Sequence, residues 1–187
     1  MKRPVVNRLC SAVLLALLVM AGRGAVQAAP DAESYVSRIA DRVVTAAHRE
    51  PVAEFRTIFQ EHADIAAISK VAAGRYGRVM SPVERDQVKR FVSASIGQAF
   101  ASYSGWLRGE RVEVTGSRDK GNSTVVVFSK LVGGSVDEIK WKLARSDDGF
   151  QVLDVNIGGL WLSMQMRSML SARLKRARGD VTAALSD

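Results

Sequence analysis

The chain has 187 residues, with 27 Lys and Arg against 19 Asp and Glu, and 47% of it is hydrophobic. That composition fits a folded domain and excludes a low-hydrophobicity, disordered chain. A single cysteine, Cys10, rules out an intrachain disulfide and, lying in the N-terminal apolar segment, leaves no thiol for catalysis or metal binding in the rest of the chain.

The N-terminal segment reads as a secretory signal peptide. Lys2, Arg3 and Arg8 form a positive n-region, Leu9 to Ala21 is an almost unbroken apolar run too short for a comfortable membrane span, and Val26-Gln27-Ala28 places small residues where signal peptidase needs them. Cleavage is expected after Ala28, with Ala29 as the next choice. Cys10 precedes the leucine-rich run, the wrong side for a lipoprotein anchor. Removing 28 residues that carry four basic and no acidic side chains leaves 159 residues with 23 basic against 19 acidic, a net charge of +4. That modest charge suits anionic headgroups or an acidic partner as well as plain solubility. Export and the lack of an aromatic-plus-basic motif argue against nucleic acid.

From Glu33 to Arg49, residues Tyr35, Ile39, Val43, Ala46 and Ala47 recur at helical spacing. Pro51 breaks this run and opens a second helix with Phe55, Ile58 and Phe59 as its apolar stripe. Asp64 caps a short third helix over Ile65 to Ala73, ended by Gly74. Ser81-Pro82-Val83-Glu84 is a capping box, and the long helix it starts carries Val88, Phe91, Val92, Ser95, Ile96, Ala99, Phe100 and Tyr103 on one side.

After Gly109 the period changes to two. Val112 and Val114, the β-branched run Ser123 to Val132, then Ile139, Trp141 and Leu143, and finally Leu153, Val155 and Ile157 mark four strands. Turn signals at Asp119-Lys120-Gly121-Asn122, Gly133-Gly134 and Asp147-Asp148-Gly149 join them into an antiparallel meander. Gly158-Gly159 ends the sheet, an amphipathic helix runs from about Leu160 to Arg176, and a short one follows Gly179-Asp180. The pattern predicts an α+β fold: N-terminal helices packed on a four-stranded antiparallel sheet, closed by a C-terminal helix. The space between sheet and helices is where a ligand would sit.

Catalytic signatures are sparse. His48 and His62 are the only histidines and neither has metal-ligand spacing or a nucleophile motif beside it. Ser163 lacks the flanks of a nucleophile elbow, and no glycine loop cradles a phosphate. Neither a metal nor a cofactor is expected. A small lyase or isomerase of α+β fold and a protein-binding adaptor of the envelope stay as rival readings.

Three segments carry a resemblance. Asp64-Ile65-Ala66-Ala67-Ile68 with Ala73-Gly74-Arg75-Tyr76 is one, and Ser81 to Tyr103 is the second. The third is Val152-Leu153-Asp154-Val155-Asn156-Ile157-Gly158-Gly159 followed by Trp161-Leu162-Ser163. In this order they resemble MlaC, the periplasmic phospholipid-carrier family of the Mla (maintenance of lipid asymmetry) pathway, also called the toluene-tolerance auxiliary component. The Trp161-Leu162-Ser163 version looks closest to a hopanoid-associated, HpnM-like branch. The resemblance implies a curved sheet enclosing a deep apolar pocket and no enzymatic activity. It also implies a monomeric periplasmic shuttle for a phospholipid or hopanoid-type lipid, between an outer-membrane lipoprotein complex and an inner-membrane ABC lipid transporter with its substrate-binding ring.

On that reading the tail contacts are Val125, Val127, Ile139, Trp141, Leu143, Leu153, Val155 and Ile157 from the strands and Phe91, Ile96, Phe100 and Tyr103 from the helices. Apolar periodicity marks burial as such, so each is equally a candidate for plain core. Met164, Met166 and Met169 are candidates for an adaptable lining, but they occupy different helix faces, so not all of them can line one pocket. Arg167, Arg173, Lys175, Arg176 and Arg178 form a basic cluster for headgroups or an acidic partner, or a solvated helix end where cations suit the dipole. Arg75 and Tyr76, at a helix exit, are candidates for the pocket mouth and equally for a structural role in that loop.

Overall fold

A computed structural model describes residues 29–49, 51–107, 111–133, 138–147 and 149–186. The signal segment, 1–28, lies outside them. Helices come first: α1 (Ala29–Ala47), α2 (Pro51–His62), α3 (Ile65–Ala73), a 3-10 turn (Tyr76–Arg78) and α4 (Pro82–Leu107). Five strands follow, β1 (Arg111–Gly121), β2 (Thr124–Val132), β3 (Ile139–Ser146), β4 (Gly149–Ile157) and β5 (Leu160–Trp161). Helices α5 (Leu162–Arg176) and α6 (Val181–Ala184) close the chain.

The expected caps form. Asp64 accepts the Ala67 N–H at 2.8 Å, and Gly74 ends α3 at a φ of 53°, a conformation cheap only for glycine. In the capping box, the Ser81 N–H donates to Glu84 Oε2 at 2.7 Å and the Glu84 N–H to Ser81 Oγ at 3.3 Å.

All strands pair antiparallel with their sequence neighbours, in the order β1-β2-β3-β4-β5. The sheet is α+β as expected but has five strands, not four. Leu160 and Trp161 do not start the last helix: a two-residue loop, Gly158-Gly159, folds them back so that Ile157 pairs with Leu160 and Asn156 with Trp161. Both glycines have positive φ, as such a tight hairpin loop requires, and Asn156 Oδ1 holds the Gly159 N–H at 3.1 Å.

A second departure changes which residues face inward. Between Lys142 and Leu143 the β3-β4 register slips, so that Lys142 opposes Asp154 while Leu143 opposes Val152. Leu153 is therefore the extra residue of a β-bulge. Val152, not Leu153, continues the buried row, at 4% exposure. One inserted residue shifts a period-two pattern to the other face beyond it.

The buried face of the sheet runs through Val125, Val127, Ser129 and Leu131 of β2, Leu143, Trp141 and Ile139 of β3, and Val152 and Val155 of β4. Helix α1 packs across β1 and β2, α2 lies on α4, and α3 sits between α4 and α5. The α2-α3 junction is stitched to the sheet, where Ala63 bridges Val152 and the Asp64 N–H donates to the Val152 carbonyl at 2.9 Å.

Candidate functional site

One end of the buried sheet face is not filled. There the strands contribute Val112 and Leu131, which are register partners, with Ile139, Trp141, Val155 and Ile157. The helices contribute Ala40 and Val43 from α1, Ala99 and Phe100 from α4, and Leu162 and Gln165 from α5. These walls surround a cavity of about 270 Å³ that opens to solvent beside Gly158 and Leu160. Gln165 is the single amide or charged side chain in its wall. Leu160, at the lip, is 62% exposed.

A smaller space of about 40 Å³ adjoins it, walled by Ile39, Phe55, Ile58, Phe59, His62, Ala63 and Val152. Val43, Phe100, Trp141 and Val155 line both spaces and so form the partition. Trp141 is fixed in place: its indole N–H donates to the buried Ser129 Oγ at 2.9 Å. Phe100 leans on Phe55, ring centres 5.5 Å apart. The partition thus has one pinned ring from the sheet and one from a helix held by packing alone.

His62 brings the polar edge of the smaller space. The Arg42 guanidinium donates to His62 Nε2 at 2.8 Å and to Glu61 Oε2 at 2.6 Å, and Tyr35 Oη lies 3.2 Å from His62 Nδ1. An arginine can donate to Nε2 only when that nitrogen carries no proton, so the arrangement requires neutral His62 with its proton on Nδ1. Burial and the Arg42 charge both push the His62 pKa below its ordinary value, with the Glu61 carboxylate opposing in part.

Of the twelve residues expected to touch a ligand, Phe100, Ile139, Trp141, Val155 and Ile157 stand in the wall of the larger cavity. Val125, Val127 and Leu143 lie on the same sheet face but at its other end, buried to 1% exposure or less in solid packing. Ile96, fully buried, belongs to the packed part of α4. Phe91 lies under the Arg173 guanidinium, 5.2 Å from ring centre to Cζ, and Leu153 is the bulged residue; neither lines either space. Tyr103 falls near the end of α4, outside the residues whose side chains are described.

Other expectations also change. Met166 is core at 1% exposure, whereas Met164 and Met169 point outward at 48% and 40%, so the methionines share no lining. Arg173 reaches the Ala184 carbonyl at 3.3 Å, tying α5 to α6. Arg75 stacks on Tyr76, 5.1 Å from the ring centre, away from the apolar cavity's wall. Ser163 has a structural task. Its N–H and hydroxyl donate to the Asp154 carboxylate at 3.0 and 2.5 Å, clamping the first turn of α5 to β4.

Sequence reasoning did not single out Ala40, Val43, Ala99, Leu162 and Gln165 as wall residues. Alanines at 40 and 99 carry little periodicity signal, yet small side chains facing a hollow are what keep it open. Val112 and Leu131 were legible as strand residues, and their register places them beside Ile139.

Among the described residues, no cluster of three His, Asp or Glu side chains could hold a metal ion, and no helix is long and apolar enough to cross a membrane. Among curated proteins no sequence matches the chain. Its fold is similar to that of the phospholipid-binding protein from Ralstonia solanacearum, whose structure holds a phospholipid. The TM-score is 0.69 at 22% identity, over 83% of this chain and 93% of that one. Residues 33–186 match the family model of the MlaC protein, and the chain belongs to the MlaC family.

Proposed function

We propose that this protein is an exported, non-enzymatic lipid carrier of the periplasm, with residues 29–187 forming one carrier domain after cleavage near Ala28. The observation that carries this reading is the apolar cavity of about 270 Å³, open to solvent between sheet and helices. A hollow walled by hydrocarbon and exposed to water is costly unless something apolar occupies it. The phospholipid in the similarly folded Ralstonia protein supports a lipid as that occupant.

The energetics fit a shuttle. A two-tailed lipid has on the order of thirty methylenes, and at about 0.8 kcal/mol each its unaided escape from a bilayer costs roughly 20 kcal/mol or more. A carrier needs an interior of comparable apolarity, close enough in free energy that partners bias the transfer either way. The partners we propose are an outer-membrane lipoprotein complex and an inner-membrane ABC transporter. The cavity lies at the lower edge of the roughly 300–1,000 Å³ of ligand pockets. Two full acyl chains therefore need it to widen, and the Phe100–Trp141 partition with the 40 Å³ space behind it is the direction available.

A hopanoid-type lipid is the second reading. It is favoured by one observation: Leu160 and Leu162, which flank Trp161 in the segment that resembles the hopanoid-associated branch, both line the cavity, Leu160 exposed and Leu162 buried. Native mass spectrometry of the protein purified from its own envelope tests the proposal. A lipid-sized mass increment, identified after solvent extraction, is expected, and its identity decides between the two lipids. Protein that never carries lipid but binds an envelope protein through a filled interior would establish the adaptor reading instead.

A further inference from the structure

A separate cavity of about 380 Å³ lies between α3, the 3-10 turn and the start of α4, and shares no lining residue with the two apolar spaces. Its wall mixes Ala66, Ala73, Met80 and Val88 with cations, which the larger apolar space lacks. Lys70 of α3, Arg78 of the turn, and Arg85 and Lys89 of α4 stand in its wall. Lys89 pairs with Asp86 at 3.0 Å. Among the described residues no carboxylate pairs with Lys70, Arg78 or Arg85. A fifth cation borders the site: a Cβ placed on Gly74 would lie 2.9 Å from Arg167 Nε, so the bare glycine gives that guanidinium its place.

A second observation is independent of charge. Ser69 stands in the same wall at 5% exposure, and its hydroxyl is buried without a hydrogen-bond partner. Buried hydroxyls are nearly always paired, because an unpaired one forfeits its hydration for nothing. Three cations without a carboxylate partner and one buried, unpaired hydroxyl thus belong to the residues of a single wall. A phosphate group has several acceptor oxygens and suits the guanidinium fork.

We propose that this cavity is a second binding site, for an oxyanion of the phosphate class, presented either as the headgroup of an anionic lipid or as free phosphate. Its size admits a phosphoryl group together with an ester substituent. Val79 and Val83, near the wall residues Arg78, Met80 and Arg85 in sequence, are 85% and 67% exposed apolar side chains. The site goes beyond the carrier reading, since it can exist whether or not the apolar cavity holds a tail.

The test has two arms, run on the full mature protein, its R78A/R85A variant and its S69A variant. In the first, inorganic phosphate is titrated while backbone amide shifts are followed. Saturable shifts confined to residues 69–89, weakened about tenfold in R78A/R85A, establish the site for free phosphate. In the second, co-sedimentation with vesicles of anionic phospholipid in phosphatidylcholine is measured. Binding that falls about tenfold in R78A/R85A, and not in an R176A/R178A control, establishes the headgroup source. S69A is expected to keep or raise Tm while weakening whichever binding is found. No saturable phosphate shifts, together with vesicle binding equal in R78A/R85A and R176A/R178A, overturns the proposal. Native mass spectrometry of the same variants reads the apolar cavity separately, and its lipid occupancy should not change.

Discussion

Helix α4 passes through two kinds of interior. Its first half packs Val88, Val92 and Ile96, each at 1% exposure or less, in the region where α3, α5 and α6 supply Ile68, Met166, Leu170, Leu174, Val181 and Ala184. Its second half presents Ala99 and Phe100 to a hollow. The same helix is thus anchored in close packing at one end and borders empty space at the other. The packed end holds the frame, so that the hollow end can stay open without the fold collapsing into it. Close packing is the default of protein interiors, and the function proposed above rests on the half that departs from it.

Truncation in each region separates them most sharply. Leu170→Ala, at a fully buried position of the packed end, should cost about 3–4 kcal/mol, the transfer loss plus a new void. Ile139→Ala at the cavity wall removes as many carbons but fewer contacts, because one side of the residue already faces a hollow, and should cost about 1–2 kcal/mol. Urea unfolding of delipidated protein compares the two. Equal costs would mean that the hollow end is as tightly packed as the other.

The joint between the regions is the Asp154 carboxylate, which holds the Ser163 N–H and hydroxyl where β4, β5 and α5 meet. Asp154→Ala strands two donors of a residue that is 2% exposed and should cost about 2–3 kcal/mol. Ser163→Ala, which removes the hydroxyl donor along with its need for a partner, should cost about half as much in the same measurement. A catalytic reading of the pair instead expects loss of an activity with stability unchanged.

Much of this was legible from the sequence, for reasons that also explain the misses. The caps at Asp64 and Ser81-Glu84 are local chemistry, and the strands follow from alternation that continues until a bulge interrupts it. Leu153 was misplaced because a bulge is a pairing event between strands and leaves no mark in the period of one strand. Leu160-Trp161 carries no strand signal because two residues are too few to show any period, and only the Gly158-Gly159 loop turns them into a strand. The site was half legible. Phe100 on its helical period and Trp141 and Val125 on their alternation give the same kind of signal, since periodicity reports which face a residue takes, whereas the hollow is a property of what lies opposite. Ala40 and Ala99 help to make it, and their contribution is the absence of side chain.

The hollow can be filled from its edge without disturbing the frame. Val112 and Ile157 line it and are only partly buried, so Val112→Trp with Ile157→Trp has room to grow inward or outward. The double variant should keep its stability to within about 1 kcal/mol, because overpacking strain is low where space exists. Its lipid occupancy by native mass spectrometry should fall severalfold. Undiminished occupancy would place the lipid elsewhere.

The smallest effect concerns the polar edge of the smaller space. In the folded chain, burial and the Arg42 charge hold the His62 pKa below its ordinary value of 6.5, while the unfolded chain takes up its proton near that value. As pH falls below about 6.5, the unfolded state gains a proton that the folded state resists, so stability drops with falling pH until the lowered folded pKa is reached. Glu61, whose pKa the Arg42 hydrogen bond also lowers, acts in a separate window below 4.5. The urea midpoint should therefore decline between pH 7.5 and pH 5.5, and His62→Gln should flatten that part of the profile while leaving the acid limb below 4.5 in place. Glutamine can keep one bond to Arg42 or Tyr35 but cannot take up the proton. Because His62 lines the space behind Phe100 and Trp141, a protonated ring beside Arg42 should also loosen the α1-α2 contact there. Amide exchange in residues 39–62 should then quicken at pH 5.5 in the parent and not in the variant. A parent profile as flat as that of His62→Gln would show that the Arg42–His62 contact carries no energetic weight.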